Sequence, residues 1–220
     1  MPNTTKEFLT GFKDELPLLL GVMPFGMIYG ILALAAGLSA GEAQAMSVIV
    51  FAGSAQFMLV QLIDVGTPAL MMILTGFIIN LRHALYSASI APHLKKLTPA
   101  WKGLLAYLLT DEAYAITITR YTKKDSSPYK HWYFLGAGLA LWTSWQISAA
   151  VGVFLGAQIP SNWSLDFTLA LTFIAIVVPS LKDRPSIFAA IAASITALAT
   201  VSLPYKLNLI VAAGVGIIVG

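Results

Sequence analysis

Leu16 to Gly41 reads LPLLLGVMPFGMIYGILALAAGLSAG, a run without a single charged residue. At about 1.5 Å per residue, a helix of roughly 20 such residues crosses the hydrocarbon layer of a bilayer. Charge-free runs recur from Ala43 to Ile63, Val65 to Leu81, Trp132 to Leu165 and Pro185 to Tyr205, with shorter ones from Phe167 to Leu181 and Leu207 to Gly220. The chain is 58% hydrophobic and 10% charged, with mean hydropathy +0.80, whereas soluble domains carry about a quarter charged residues. The reading is an all-α polytopic membrane protein. It predicts a bundle of about six to eight transmembrane segments, some broken or re-entrant, forming a single integral membrane domain over residues 1–220.

Residues 1–15, with Lys6, Glu7, Lys13, Asp14 and Glu15, form a polar start that is expected on the cytoplasmic side. The first apolar run is long and lacks a small-residue cleavage site, so it reads as a retained helix rather than a signal peptide. The absence of cysteine removes disulfides, a thiol nucleophile and cysteine-held metal. Seven of the 13 Lys and Arg residues lie between Lys95 and Lys130. Basic residues at helix ends hold a loop inside, so this region is also placed on the cytoplasmic face. Lys95, Lys96 and Lys102 precede the segment Gly103 to Thr119, while Arg120, Lys123, Lys124 and Lys130 follow it. With both flanks inside, the segment is either re-entrant or broken, or it crosses simply with one misplaced basic loop. Thr110-Asp111-Glu112 interrupts it, and irregular backbone at depth is tolerated only against protein or a wet cavity.

Three further interruptions carry the chemistry. In Phe51-Ala52-Gly53-Ser54-Ala55-Gln56-Phe57, small and amide-bearing residues serve close helix packing, or a discontinuous helix whose backbone joins Ser54 and Gln56 at a substrate. A catalytic Ser54 would need His83 as its base. Pro24-Phe25-Gly26 predicts a kink, used either for packing or as a half-helix end that offers donors to a carboxylate. In Asn80-Leu81-Arg82-His83-Ala84-Leu85-Tyr86, Arg82 and Tyr86 share a helix face. Arg82 either snorkels to the headgroups or binds a carboxylate with its fork of donors.

His83 is a candidate proton relay; His93 and His131, beside lysines, read as loop surface groups. Adjacent Asp111 and Glu112 point about 100° apart on a helix. Each is a candidate proton carrier, and the alternative is a helix cap formed by Thr110 or Asp111. No metal-ligand spacing, phosphate loop or nucleotide signature occurs, so neither cofactor nor metal nor nucleic-acid partner is expected. Sliding the chain by 122 residues aligns Gly30 with Gly152, Ser39 with Ser161 and Phe51 with Phe173, matches too sparse to establish a repeat.

Gly21-Val22-Met23-Pro24-Phe25-Gly26, Phe51 to Phe57, Asn80 to Ser87 and Thr110-Asp111-Glu112-Ala113-Tyr114 together resemble the AzlC family. Leu165-Asp166-Phe167, Phe173-Ile174-Ala175 and Pro179 extend the likeness into the second half. The resemblance implies the large subunit of a branched-chain amino acid exporter in the bacterial cytoplasmic (inner) membrane. It implies leucine, isoleucine, valine and analogues such as azaleucine as substrates, with a small AzlD-type membrane subunit as partner. The residue chemistry adds a carboxylate near Arg82 or broken-helix N–H groups, an ammonium near Asp111 or Glu112, and proton coupling through Asp111, Glu112 or His83. Pro24, Gly26, Gly53, Ser54, Gln56, Asn80, Arg82 and Tyr86 are the substrate-binding candidates. A passive small-solute channel and an intramembrane serine hydrolase are the rival classes; no catalytic residue is assigned and the chain is not read as an enzyme.

Overall fold

The computed structural model describes residues 3–122, 127–158, 181, 183–204 and 207–220. Lys123, Lys124, Tyr205, the run Phe167 to Leu181 up to its last residue, and the family-like residues Leu165 to Phe167, Phe173 to Ala175 and Pro179 lie outside them. Of the described residues 84% are helical, and none is in a strand. The helices are α1 (Thr4–Ala35), α2 (Ala40–Val50), α3 (Gly53–Asp64), α4 (Ala69–Leu94), α5 (Pro99–Tyr107), α6 (Asp111–Thr122), α7 (Lys130–Gly156), α8 (Arg184–Ala199) and α9 (Leu207–Val219). Among them α1, α4 and α7 are long and apolar enough to cross a membrane; α8 and α9 are shorter apolar helices. The chain divides into two compact units, Met1–Phe57 with Ile79–Ile159, and Met58–Ile78 with Pro160–Gly220.

Local chemistry sets the helix ends. Asn3 caps α1 by accepting from Lys6 N at 2.7 Å, so the polar start belongs to the first helix. The apolar run Leu16 to Gly41 does not stay helical throughout. Gly37 turns the chain at φ +88°, and a capping box starts α2, with the Ser39 hydroxyl facing Glu42 N at 3.3 Å and Glu42 Oε2 accepting from Ser39 N at 2.8 Å. Helix α1 is continuous through Pro17 and Pro24. Of the two readings of Pro24 the half-helix end is therefore not formed, and the turns that follow it, at Gly26 and Gly30, pack on α7.

That support is a seam of small residues in the first unit. A Cβ at Gly26 would collide with Ser148, one at Gly30 with the backbone of Ala149 and Val153, and one at Gly152 with the backbone of Met27. A Cβ at Gly11 would strike Tyr133 O and one at Gly136 would strike Phe8 O. Helices α1 and α7 thus run parallel at the closest approach that backbones allow, through Gly26 and Gly30 on one side and Ser148 and Gly152 on the other. Gly11 and Tyr133, Gly26 and Ser148, and Gly30 and Gly152 are each 122 residues apart, the offset at which the sequence aligns weakly with itself.

The long helices frame two hairpins. Ala43 of α2 and Phe57 of α3 both flank Tyr29, whose hydroxyl donates to Ala43 O at 2.6 Å and whose ring meets Phe57 edge-on at 6.3 Å. The two legs therefore leave and return on the same side, with Phe51 and Ala52 at the tip. Likewise Trp101 of α5 packs on His131 and Trp132, while Tyr121 of α6 donates to Lys130 O at 2.8 Å. Both ends of this second hairpin lie at the start of α7. Its tip reaches deeper, where Trp142 Nε1 donates to the Tyr107 hydroxyl at 2.8 Å. At nine and 12 residues, α5 and α6 are each too short to cross a layer of about 30 Å. The segment between the basic flanks is re-entrant. His93 and His131 are not loop residues as expected: His93 ends α4 against Tyr121 at 5.2 Å, and His131 begins α7 against Trp101 at 5.0 Å.

A hairpin tip inside the bundle orphans backbone carbonyls, and side chains satisfy those of α2. Had α2 continued, Ser47 O and Val48 O would accept from residues 51 and 52. Instead Gln146 Nε2 donates to Ser47 O at 3.2 Å and the Tyr107 hydroxyl to Val48 O at 2.7 Å, while Gln44 holds the other end of the Gln146 amide at 2.8 Å. Leaving a buried acceptor without its donor costs about 1–3 kcal/mol. Gln146→Leu is therefore expected to lower stability by that amount in a thermal melt of the purified protein, and an unchanged melt would refute this capping role.

In the second unit α8 and α9 pack antiparallel. Asp183 caps α8 by accepting from Ser186 N at 2.8 Å. Gly216 lies against Ala193 and Ala189, and Asn208 Nδ2 donates to Ala197 O at 3.3 Å.

Candidate functional site

Breaking α2 from α3 and α5 from α6 frees two helix N-termini inside the first unit, and both end at one cation. Arg82 lies midway along α4, 12 residues from its C-terminal end, or about 18 Å of helix. Its Nη2 donates to Ser54 Oγ at 2.8 Å, in the first turn of α3, and its Nη1 pairs with Asp111 Oδ2 at 2.5 Å, at the first residue of α6. The guanidinium side chain is 32% exposed and the Asp111 carboxylate 38%, so the pair is reachable rather than sealed. Arg82 Nε and Asp111 Oδ1 are buried with no hydrogen-bond partner among the described residues. One cation with a spare donor, two helix N-termini and a displaceable carboxylate make a site for an anionic group.

The other polar residues gather around this core. Thr110 caps α6, its hydroxyl facing Ala113 N at 3.4 Å, which is the capping role the sequence left open. Tyr86, one turn below Arg82, stacks on Tyr114 with centroids 4.5 Å apart and has its hydroxyl near Asp111. Asn80 Oδ1 is buried without a partner among the described residues. Gln56 is fully buried near the Tyr29 hydroxyl, and neither of its amide atoms makes a hydrogen bond among the described residues. His83 turns its Nδ1 to Asn80 O at 3.2 Å and its ring to Tyr86. The Ser54 oxygen faces Arg82, and no Ser54–His83 pairing appears among the described residues.

The structure thus brings Ser54, Arg82, Tyr86 and Asp111 together, with His83 and Asn80 alongside. Gly53 lies against the Trp145 ring, where a Cβ would come within 3.0 Å. Gly26 faces Ser148 in the α1–α7 seam, and Pro24 is exposed. Along α4 below the site, a cavity of about 310 Å³ is lined by Ser87, Ile90, Leu94, Leu105 and Phe134, with Lys95 and Lys102. It is a half-open, largely apolar hollow.

Sequence reading missed Tyr29, Tyr107, Gln146 and Glu15. Gln146 was legible as a lone amide in an apolar run. Glu15 was not, because its neighbours Lys13 and Asp14 made it read as part of a solvated start; it is in fact completely buried.

Residues 17–159 match the AzlC protein family, a stretch that holds both hairpins, Arg82 and the part of the α1–α7 seam around Gly26, Gly30, Ser148 and Gly152. The inner membrane protein YgaZ of Escherichia coli is 27% identical over 214 residues, covering 94% of this chain and 86% of that protein. An uncharacterized membrane protein of Archaeoglobus fulgidus is 30% identical over 181 residues, covering 80% and 77%. The branched-chain amino acid transport protein AzlC of Bacillus subtilis is 28% identical over 173 residues, covering 78% and 66%. No solved structure matches. The chain belongs to the AzlC protein family, a family of transport-related membrane proteins.

Proposed function

We propose that this protein is a secondary exporter of branched-chain amino acids across the bacterial inner membrane, coupled to protons and working with a small AzlD-type subunit. The observation that carries the reading is Arg82 bridging the N-termini of two re-entrant helices, Ser54 on one and Asp111 on the other. The substrate carboxylate replaces Asp111 on the guanidinium and takes donors from the first turn of α3. Its ammonium then faces the released Asp111 and Glu112. The aliphatic side chain needs only an apolar wall. Such a wall distinguishes leucine, isoleucine and valine weakly, since one methylene is worth about 1–3 kcal/mol. The name of the Bacillus subtilis relative supports the substrate class.

The test is efflux of preloaded leucine from proteoliposomes, with and without the small subunit and an imposed proton gradient. Gradient-driven efflux that needs both chains supports the reading. Efflux indifferent to the gradient makes the protein a channel, and no leucine movement removes the substrate class. Asp111→Asn and Glu112→Gln are each expected to blunt the pH dependence of efflux; wild-type rates and pH dependence in both variants would refute coupling through this pair.

A further inference from the structure

Helices α4 and α5 stay apart where small residues would let them close. Helix α6 runs parallel to α4, since Arg82 meets Asp111, Ser89 accepts from Tyr114 at 2.8 Å and His93 packs on Tyr121 at 5.2 Å. Its hairpin partner α5 therefore runs antiparallel to α4. Ser87 and Ala91 are one turn apart on α4, with Lys95 a turn further at its end, and Lys102 and Ala106 are one turn apart on α5. Each stripe thus passes from small residues to a lysine. Such stripes usually bring two helices into contact. Here they line the two sides of the half-open hollow of about 310 Å³, with Phe134 of α7 also in its wall.

The hollow is amphipathic along its length. Ser87 and Leu109 belong to its inner part, and Lys95 lies eight residues from Ser87, or about 12 Å of helix. Apart from the two lysines, Ser87 brings the only polar side chain among the lining residues, so water gains few hydrogen bonds inside. Lys95 and Lys102 are exposed, and neither forms an ion pair among the described residues. The carboxylates of α1 at this end are engaged elsewhere, Glu7 facing Arg120 at 3.6 Å and Asp14 accepting from Tyr133 at 2.8 Å. Trp101, beside Lys102, packs on Trp132 at 5.1 Å and on His131 at 5.0 Å. Tryptophans collect at the headgroup level of a bilayer, which puts the lysine end of the hollow at that level and its apolar end in the hydrocarbon.

We propose that this hollow is a binding site for an anionic glycerophospholipid, with the headgroup phosphate between Lys95 and Lys102 and one acyl chain along Ala91, Leu105 and Ala106. Two uncompensated lysines favour a lipid of net negative charge, because a zwitterionic headgroup would set its own cation beside them. The inner end adjoins the Arg82 site in sequence, Ser87 following Tyr86 and Leu109 lying two residues before Asp111. A bound chain therefore braces the hairpin that carries Asp111. None of this rests on the amino-acid export reading.

Native mass spectrometry of the full chain in detergent, titrated with dioleoyl phosphatidylglycerol or dioleoyl phosphatidylcholine, tests the site, because the two lipids share their tails and differ in net charge. Each lysine is worth about five- to sixfold in affinity for an anionic lipid, so the phosphatidylglycerol is expected to bind about 30-fold more tightly. Lys95→Gln and Lys102→Gln are each expected to lose about fivefold of that preference, and the double variant nearly all of it. Lys6→Gln with Lys13→Gln, which removes two exposed lysines of α1 away from the hollow, is expected to leave it intact. Ala106→Trp fills the hollow without touching a charge and is expected to weaken binding of both lipids. Glycerol phosphate, a headgroup without tails, is expected not to compete. Equal binding of the two lipids, a preference that survives the double variant or falls equally with the α1 lysines, full binding in Ala106→Trp, or competition by glycerol phosphate would each overturn the assignment.

Discussion

Replacing Arg82 by glutamine is expected to cut leucine efflux from proteoliposomes about 30-fold. The figure follows from truncating one member of a hydrogen-bonded charge pair, which costs about 2–5 kcal/mol. The lower bound applies here because both side chains are about a third exposed, and about 2 kcal/mol is roughly 30-fold. Two interactions go at once, with Ser54 and with Asp111, and the substrate carboxylate loses its cation. Arg82→Lys is expected to recover little. A compact ammonium cannot reach Ser54 and Asp111 together as the planar fork does. Near-wild-type efflux in either variant, with the protein folded and present in the membrane, would remove Arg82 from the substrate site.

The second large effect lies in the seam. Gly30→Val and Gly152→Leu are expected to destabilise the protein by about 3 kcal/mol or more, the upper range for overpacked cores. In each case the added atoms meet backbone of the facing helix, Ala149 and Val153 in one and Met27 in the other, and backbone cannot rotate aside. Gly21→Ala is the control. It lies in the same helix α1, but nothing stands within 4 Å of its Cβ. Relief of glycine's backbone entropy then gives a gain of about 0.5–1 kcal/mol. Thermal melts of the purified proteins check both, and equal behaviour of Gly21 and Gly30 variants would contradict the packing described.

What the sequence made legible is mostly what hydropathy and small residues encode. The all-helical membrane class was readable, while a discontinuous helix around Gly53 and Ser54 and a re-entrant segment around Asp111 were each one of the open readings, the last because lysines and arginines flank it on both sides. The hairpin formed by α2 and α3 was not. Ala43 to Ile63 is long and apolar enough to read as one crossing, and only Tyr29, Tyr107 and Gln146, from distant parts of the chain, show where it turns back. The Arg82–Asp111 pair was legible as two candidates but not as partners, since pairing depends on how α6 is aimed. Burial of Glu15 depends on which face of α1 the rest of the unit covers, which local charge pattern conceals. The offset of 122 carried little weight as an alignment, yet the α1–α7 seam places Gly30 opposite Gly152 at that same spacing.

The central claim is that Arg82 receives the carboxylate of a branched-chain amino acid. Equilibrium binding of leucine and of leucinamide to the purified protein tests it most directly, because the two ligands share the side chain and the ammonium and differ at the carboxylate. Leucine is expected to bind at least about 30-fold more tightly than the amide, and Arg82→Gln to erase that difference. Equal binding of the two ligands to the wild type, or a preference for leucine that survives Arg82→Gln, would contradict it.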